Sequence, residues 1–148
     1  MASIYVFHGP NLNLLGTREP QHYGVRTLAE INQEVQGLAE QAGLNAECRQ
    51  TNHEGDLLDW IQALTPEDFL ILNPGAWTHT SYAIRDAISG VKVPTVEVHL
   101  SNIHARESFR ETSLIAPVCL GQISGLESDG YNLAMRFAID YQIGRTKE

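Results

Sequence analysis

Residues 3–24 read SIYVFHGPNLNLLGTREPQHYG, a short apolar run followed by a long polar loop. Residues 3–7 are apolar, β-branched or aromatic, which is typical of a buried strand. Residues 9–24 contain three Gly and two Pro, so they cannot form regular structure for long. Loops of this length in compact domains often bind ligands or close over them. The stretch predicts a buried first strand that leads into a functional loop.

The rest of the chain alternates between helix and strand patterns. A helix starts at Thr27, which forms a capping box with Glu30, and it ends at Gly43. Four further strands are predicted at residues 45–51, 69–72, 94–98 and 118–123. Helices are predicted at residues 57–64, 79–89 and 133–141. The pattern predicts one α/β domain, residues 1–148, with a flavodoxin-like three-layer sandwich. Its five-stranded parallel sheet has the order 2-1-3-4-5, with helices on both faces.

Composition restricts the classes of partner. The net charge of −8 argues against nucleic acid and anionic membranes as partners. Eight of the ten basic residues are Arg, the side chain suited to two-pronged recognition of carboxylate or phosphate. An acidic protein with this bias is expected to bind a small anion at a local Arg cluster.

The two cysteines and the N-terminus indicate a cytoplasmic protein. Cys48 and Cys119 are isolated and outside any CxxC pattern, so we expect reduced thiols rather than a metal site. The N-terminus lacks the basic and apolar regions of a signal peptide, and no apolar run approaches the length of a membrane helix.

The predicted topology locates a site. Ligands of doubly wound sheets bind beyond the carboxyl ends of the strands, near the point where strand order reverses. The long loop follows strand 1, NPGAWTHTS follows strand 3, and HLSNIHARE follows strand 4. These three polar clusters should therefore meet at one edge of the sheet.

Arg18 and Tyr23 share the long loop. A phenol ordinarily titrates near pH 10, but a guanidinium within about 4–6 Å can lower the pKa of an acidic group by one to three units. Tyr23 is therefore a candidate base, although a tyrosine that only packs the loop remains the simpler interpretation of the spacing.

The other clusters supply polar groups of several kinds. Asn73 and Gly75 follow an apolar strand, and His79 is placed at the start of the next helix, where it either binds ligand or caps that helix. Glu97 and His99 are two apart in a strand, so both point to one side. A carboxylate beside an imidazole holds its tautomer and favours the protonated form, as a general acid requires. A surface pair is the alternative.

Leu100 and Ser101 follow strand 4 and offer backbone N–H groups and a hydroxyl. Arg106 and Arg110 are four apart, which places them on one face of a short helix. They form either a carboxylate clamp or a solvated helix face paired with Glu107 or Glu111.

GPNLNLLGTREPQHYG, NPGAWTHTSYAIRDA and EVHLSNIHARESFR, spaced as they are here, resemble the type II 3-dehydroquinate dehydratases over nearly the whole chain. The resemblance implies a flavodoxin-like fold, no metal or cofactor, and assembly as a dodecamer of trimers. It also implies conversion of 3-dehydroquinate to 3-dehydroshikimate, in the shikimate pathway of aromatic amino acid biosynthesis or in quinate breakdown.

The resemblance also implies a role for each candidate residue. Tyr23 is the base, Arg18 keeps it ionised, Asn11 holds a water against the enolate oxygen, His99 is the acid and Glu97 its partner. Positions that match substrate-binding residues are Asn73, Gly75, His79, Leu100, Ser101 and Arg110, with Arg106 beside them. Asp86 matches a residue that reaches the site of a neighbouring subunit.

Two other functions fit the same fold. A flavodoxin-like nucleotide or flavin binder needs a phosphate loop rich in Ser, Thr and Gly after strand 1, but residues 9–24 contain Thr17 as their only hydroxyl side chain apart from the phenol of Tyr23. An assembly protein that lost activity is disfavoured by the full polar set.

Overall fold

The computed structural model describes residues 3–17 and 26–146. Five strands form one parallel sheet in the order β2-β1-β3-β4-β5, as predicted. They are β1 (Ile4–His8), β2 (Ala46–Gln50), β3 (Phe69–Asn73), β4 (Thr95–His99) and β5 (Gly121–Ser124).

The described residues form four α-helices, which cover both faces of the sheet. They are α1 (Leu28–Gln41), α2 (Glu54–Gln62), α3 (Tyr82–Val91) and α4 (Asp129–Thr146). Helices α1 and α4 pack together on one face, and α2 and α3 pack together on the other. The flavodoxin-like sandwich is therefore confirmed.

The central strand β3 shows why the sheet is buried on both sides. Phe69 and Ile71 belong to the core beneath α1 and α4, whereas Leu70 and Leu72 belong to the core beneath α2 and α3. Each fully buried side chain of this size contributes about 1.5–3 kcal/mol relative to an exposed one. A continuous apolar run is therefore needed here, and alternation with polar residues would leave one helix pair without a core.

Local signals set the bounds of α1. The Thr27 hydroxyl accepts a hydrogen bond from the Glu30 backbone N–H at 3.2 Å, so Thr27 is the N-cap. After the helix, Gly43 has a positive φ of 77°, a conformation that side chains with a Cβ rarely adopt.

Two predicted elements begin three residues later than expected. Helix α3 begins at Tyr82, not at residue 79, because the Ser81 hydroxyl accepts from the Ile84 N–H and caps the helix there. Residues 75–79 form a separate 3₁₀ turn. Strand β5 begins at Gly121, because Pro117 favours a 3₁₀ turn over Ala116–Val118.

Cys48 and Cys119 are both free thiols and half-buried. Burial raises the pKa of each to about 12, so both are protonated and unreactive at neutral pH. Across residues 3–17 and 26–146, no helix combines the length and apolar character needed to cross a membrane.

Candidate active site

The three predicted clusters meet in one cleft at the carboxyl edge of the sheet. The cleft encloses about 500 Å³ when the part open to solvent is included. Nine of the predicted site residues line it: Asn11, Asn73, Gly75, His79, His99, Leu100, Ser101, Arg106 and Arg110. The convergence predicted from topology is confirmed.

Two glycines let the loops after β1 and β3 approach each other. The Gly9 N–H donates to the Asn73 carbonyl at 2.8 Å, and a Cβ on Gly9 would lie 2.5 Å from the Pro74 carbonyl oxygen. Gly75 has a φ of 58°, and its N–H donates to Asn73 Oδ1 at 3.1 Å. Only glycine fits this close backbone contact, which fixes one wall of the cleft.

Asn11 lies at the start of the loop after β1. Its φ of 69° is left-handed, which Asn tolerates better than most residues. The backbone N–H of Asn11 donates to Asn52 Oδ1 at 2.9 Å, and Asn52 Oδ1 also accepts from Gln50 Nε2 at 3.0 Å. The backbone of Asn11 is therefore anchored by the segment that follows β2, and Asn11 lines the cleft.

Glu97 and His99 form a buried pair at the end of β4. His99 Nε2 lies 2.5 Å from Glu97 Oε2, and the Glu97 side chain is completely buried. Two further donors contact the same carboxylate: Ser113 Oγ at 2.8 and 2.9 Å, and Gln122 Nε2 at 2.9 Å. The expectation that Glu97 and His99 share one side is confirmed, and the alternative of a surface pair is wrong.

This contact decides which nitrogen of His99 is available to a ligand. An ionised carboxylate only accepts hydrogen bonds, so Nε2 carries the proton that is donated to Glu97. The other nitrogen, Nδ1, makes no hydrogen bond with residues 3–17 or 26–146, and the ring lines the cleft. Nδ1 is therefore the atom that can exchange a proton with a bound molecule.

Arg106 and Arg110 are not on one helix, which corrects that prediction. Arg106 follows the 3₁₀ turn Ile103–Ala105, and Arg110 ends a second turn, Ser108–Arg110, because neither segment is long enough to form a stable helix. Both still line the cleft, with side chains only 7% and 17% exposed, so they are not a solvated face.

Hydrogen bonds hold the two guanidinium groups. Arg110 Nε donates to Glu107 Oε2 at 3.0 Å, and Arg106 Nη1 donates to Ser101 Oγ at 3.3 Å. These arginines lower the pKa of the exposed Glu107 carboxyl, mainly through the Arg110 hydrogen bond.

His79 enters the cleft from the end of its 3₁₀ turn rather than from a helix N-terminus. Its Nδ1 lies 2.9 Å from the Thr112 carbonyl oxygen, and so Nδ1 carries the proton and donates it. Burial lowers the pKa of His79, and the Thr112 carbonyl partly opposes that effect. A neutral ring presents Nε2 as an acceptor.

The cleft gathers positively charged side chains although the whole chain carries −8, and Glu107, outside its lining, contacts both arginines. Within the described ranges its lining includes two arginines and two histidines but no aspartate or glutamate. The same ranges contain no group of three or more His, Cys, Asp or Glu side chains arranged to hold a metal ion. The charges favour a small anion.

One predicted site residue lies elsewhere. Asp86 is exposed on α3, outside this cleft. Arg18 and Tyr23 lie outside the described residues, so their predicted contact stays a prediction.

The sequence interpretation missed the residues that hold Glu97 and Asn73. Gln122 pairs with Glu97 across β4 and β5, and a polar residue within an otherwise apolar run was the available signal. The hydroxyl of Tyr131 contacts Asn73, and His8, which contacts that hydroxyl, gave a similar signal at the end of β1. Ser113, in an irregular segment, gave none.

Comparisons of this chain with a family model, with curated relatives and with solved structures all point to one family. The model of the family described as "Dehydroquinase class II" matches residues 2–139. A "3-dehydroquinate dehydratase" of Desulfitobacterium hafniense (strain Y51) is 62% identical over 140 residues, covering 95% of this chain and 97% of that relative. Among solved structures, type II dehydroquinase from Propionibacterium acnes superposes with a TM-score of 0.89 at 40% identity, covering 95% of this chain and 97% of that one.

A second solved structure, type II dehydroquinase from Butyrivibrio crossotus DSM 2876, has a TM-score of 0.88 and 41% identity, covering 93% of this chain and 97% of the other. The match spans all five strands and the loops that form the cleft. The alternative of a flavin or nucleotide binder receives no support from these relatives. The chain belongs to the class II dehydroquinase family.

Proposed function

We propose that this cleft converts 3-dehydroquinate to 3-dehydroshikimate by eliminating water. The observation that carries the proposal is the buried Glu97–His99 pair beside two half-buried arginines in a cleft without a lining carboxylate among the described residues. An acid group and an anion site are what this reaction needs, because the substrate carries a carboxylate and loses a hydroxyl. The relatives that share the fold bear the name of this activity.

The reaction begins with removal of a proton from the carbon next to the ketone. In this proposal, which rests on the family resemblance, the Tyr23 phenolate takes the proton and Arg18 keeps the phenol ionised. The C–H electron pair moves into an enolate, whose oxygen is stabilised by a water held by Asn11. Pre-aimed donors at such an oxygen are worth several kcal/mol in the transition state.

The enolate then collapses and expels the hydroxyl group. The C–O bond breaks as the ring double bond forms, and His99 supplies the proton that turns the leaving group into water. We assign this proton to Nδ1 of a doubly protonated ring, which becomes neutral as it gives the proton up, because the proton on Nε2 is engaged with Glu97. Glu97 holds the ring orientation, and acid and base on opposite faces of the substrate give anti elimination.

The substrate carboxylate fits the positive wall of the cleft. Arg106 and Arg110 supply planar donors, and Ser101 adds a hydroxyl beside Arg106. The remaining substrate-binding positions of the proposal are Asn73, Gly75, His79 and Leu100. Asp86 would act in a neighbouring subunit of a dodecamer, which is consistent with its exposure and its position outside this cleft.

The test is turnover of 3-dehydroquinate by the purified protein without added metal. The product contains a conjugated enone, so ultraviolet absorbance should rise with time. The absence of any change with folded protein would refute the proposal and leave the inactive assembly protein as the explanation.

Tyr23→Phe tests the base separately. This variant should fold and assemble but lose nearly all turnover, because a phenyl ring cannot accept a proton. Tyr82→Phe is the matched control, since Tyr82 is 66% exposed on α3 and outside the cleft. Substantial turnover by Tyr23→Phe would remove Tyr23 from the mechanism.

A further inference from the structure

A buried polar chain lies behind Asn73, on the face of the sheet covered by α1 and α4. Asn73 Nδ2 lies 3.0 Å from the hydroxyl of Tyr131. The same hydroxyl lies 3.0 Å from His8 Nδ1, and His8 Nε2 lies 2.7 Å from Asn32 Oδ1. The proposed chemistry uses neither His8 nor Tyr131, although both are completely buried.

The partners define the direction of every hydrogen bond in this chain. Asn32 Oδ1 can only accept, so His8 Nε2 donates to it. A neutral ring then has an acceptor at Nδ1, which receives the hydroxyl proton of Tyr131. The Tyr131 oxygen is left with lone pairs and accepts from Asn73 Nδ2.

The buried environment keeps both groups neutral. Burial lowers the pKa of His8 to about 4, although the hydrogen bond that His8 donates to Asn32 acts in the opposite direction. Burial also raises the pKa of the Tyr131 phenol. At neutral pH the chain therefore has one arrangement of protons.

Asn73 is held from both ends of its amide. Its Oδ1 accepts from the Gly75 N–H at 3.1 Å, and one Nδ2 hydrogen goes to Tyr131. The second Nδ2 hydrogen has no acceptor within residues 3–17 and 26–146, and Asn73 lines the cleft. If the amide were reversed, Asn73 Nδ2 would face the Gly75 N–H, which places two donors together. Asn73 Oδ1 would then face the Tyr131 oxygen, whose proton is donated to His8, which places two acceptors together.

We propose that His8 and Tyr131 are positioning residues that fix the Asn73 amide so that it presents a hydrogen-bond donor, and never an acceptor, to the substrate. The inference rests on the proposed function, since it assigns Asn73 to a substrate oxygen. It predicts that breaking the hydrogen bonds between His8, Tyr131 and Asn73 weakens substrate binding without removing a group that touches the reacting atoms.

Tyr131→Phe is the first test. It removes the hydroxyl and keeps the ring, so Asn73 loses one of its two restraints. We expect KM for 3-dehydroquinate to rise about tenfold, the effect of one lost hydrogen bond to substrate, with kcat much less affected. Tyr141→Phe, the same change on the same helix but outside the cleft, should leave KM unchanged. A purely structural hydroxyl would lower the active fraction, and hence kcat, at constant KM; that result would overturn the proposal.

Two substitutions of His8 separate hydrogen bonding from packing. In His8→Asn, Oδ1 occupies the position of Nδ1 and still accepts from Tyr131, so KM should stay near the wild-type value. His8→Leu fills the space without an acceptor, so KM should rise as in Tyr131→Phe. Equal KM values for the two variants would contradict the proposal.

Neutron diffraction from wild-type crystals needs neither a stable variant nor a substrate. Deuterium on Asn73 Nδ2 should point to Tyr131, and the Tyr131 deuteron should point to His8 Nδ1. A reversed Asn73 amide would overturn the inference even if turnover is observed. Absence of wild-type turnover would instead refute the proposed function.

Discussion

His8 and His99 occupy equivalent positions on opposite faces of the sheet. Each ends a parallel strand at the same edge, and each is almost fully buried. Each also donates from Nε2, His8 to Asn32 and His99 to Glu97. They differ at Nδ1, which contacts Tyr131 in His8 and makes no hydrogen bond with the described residues in His99.

The difference shows that partners, rather than strand position, decide which ring nitrogens of a histidine are already engaged. In His8 both ring nitrogens are satisfied by neutral groups, so the ring is a fixed structural link. In His99, which lines the cleft, a carboxylate holds one nitrogen and the other makes no hydrogen bond with the described residues. We therefore assign proton transfer to His99 and orientation of Asn73 to His8.

The largest expected effect comes from His99→Gln. Glutamine keeps a polar side chain but cannot transfer a proton at neutral pH, so kcat should fall by about 10²–10⁴. The measurement is steady-state turnover of 3-dehydroquinate.

His53→Gln is the matched control for this change. His53 is exposed before α2, and its side chain makes no capping hydrogen bond. Comparable turnover by His99→Gln and His53→Gln would exclude His99 as the acid and erase the functional difference between His99 and His8.

A smaller effect is expected for Glu97→Gln. The amide can keep an oxygen at the position that His99 and Gln122 contact, but the negative charge is lost. Charged hydrogen bonds contribute about 1.5–3 kcal/mol, so kcat should fall by about 10–100-fold. Unchanged kcat would mean that the carboxylate only fills space.

The pH dependence of the free energy of unfolding tests whether His8 is held neutral in the fold. Its pKa is lowered from 6.5 to about 4 in the fold, so between these values the unfolded chain binds a proton that the folded chain excludes. The stabilising effect is complete above pH 6.5 and is lost as the pH falls toward 4. From pH 7 to pH 5 the free energy of unfolding should fall by about 2 kcal/mol on this account.

Denaturant unfolding of wild type and His8→Asn at both pH values measures this contribution. Asparagine does not titrate, so the variant should lack that part of the decrease, whereas exposed His53→Asn should retain it. Identical pH dependence in wild type and His8→Asn would mean that His8 titrates normally.

The convergence of site residues was predictable because it follows from topology. In a parallel sheet, loops after β1, β3 and β4 must emerge at one edge, so Asn11, Asn73 and His99 meet whatever the details of packing. The pairing of Glu97 with His99 was equally predictable, since residues two apart in a strand share a face.

Contacts between distant segments were not predictable in the same way. His8 and Tyr131 are 123 residues apart, and Ser113 reaches Glu97 from an irregular segment. Arg106 and Arg110 were assigned to one helix by spacing, yet two short 3₁₀ turns replace it. Arg106 and Arg110 are nevertheless close to each other, as predicted, because both turns border the same cleft.

Neutron diffraction of the two histidine rings at neutral pH tests the central distinction most directly. The account predicts deuterium on Nε2 of His8 and no deuterium on its Nδ1, which should accept from Tyr131. It also predicts deuterium on Nε2 of His99, directed at Glu97, with Nδ1 facing the cleft. Deuterium on Nδ1 of His8, or an Nε2 of His99 without deuterium, would contradict the account.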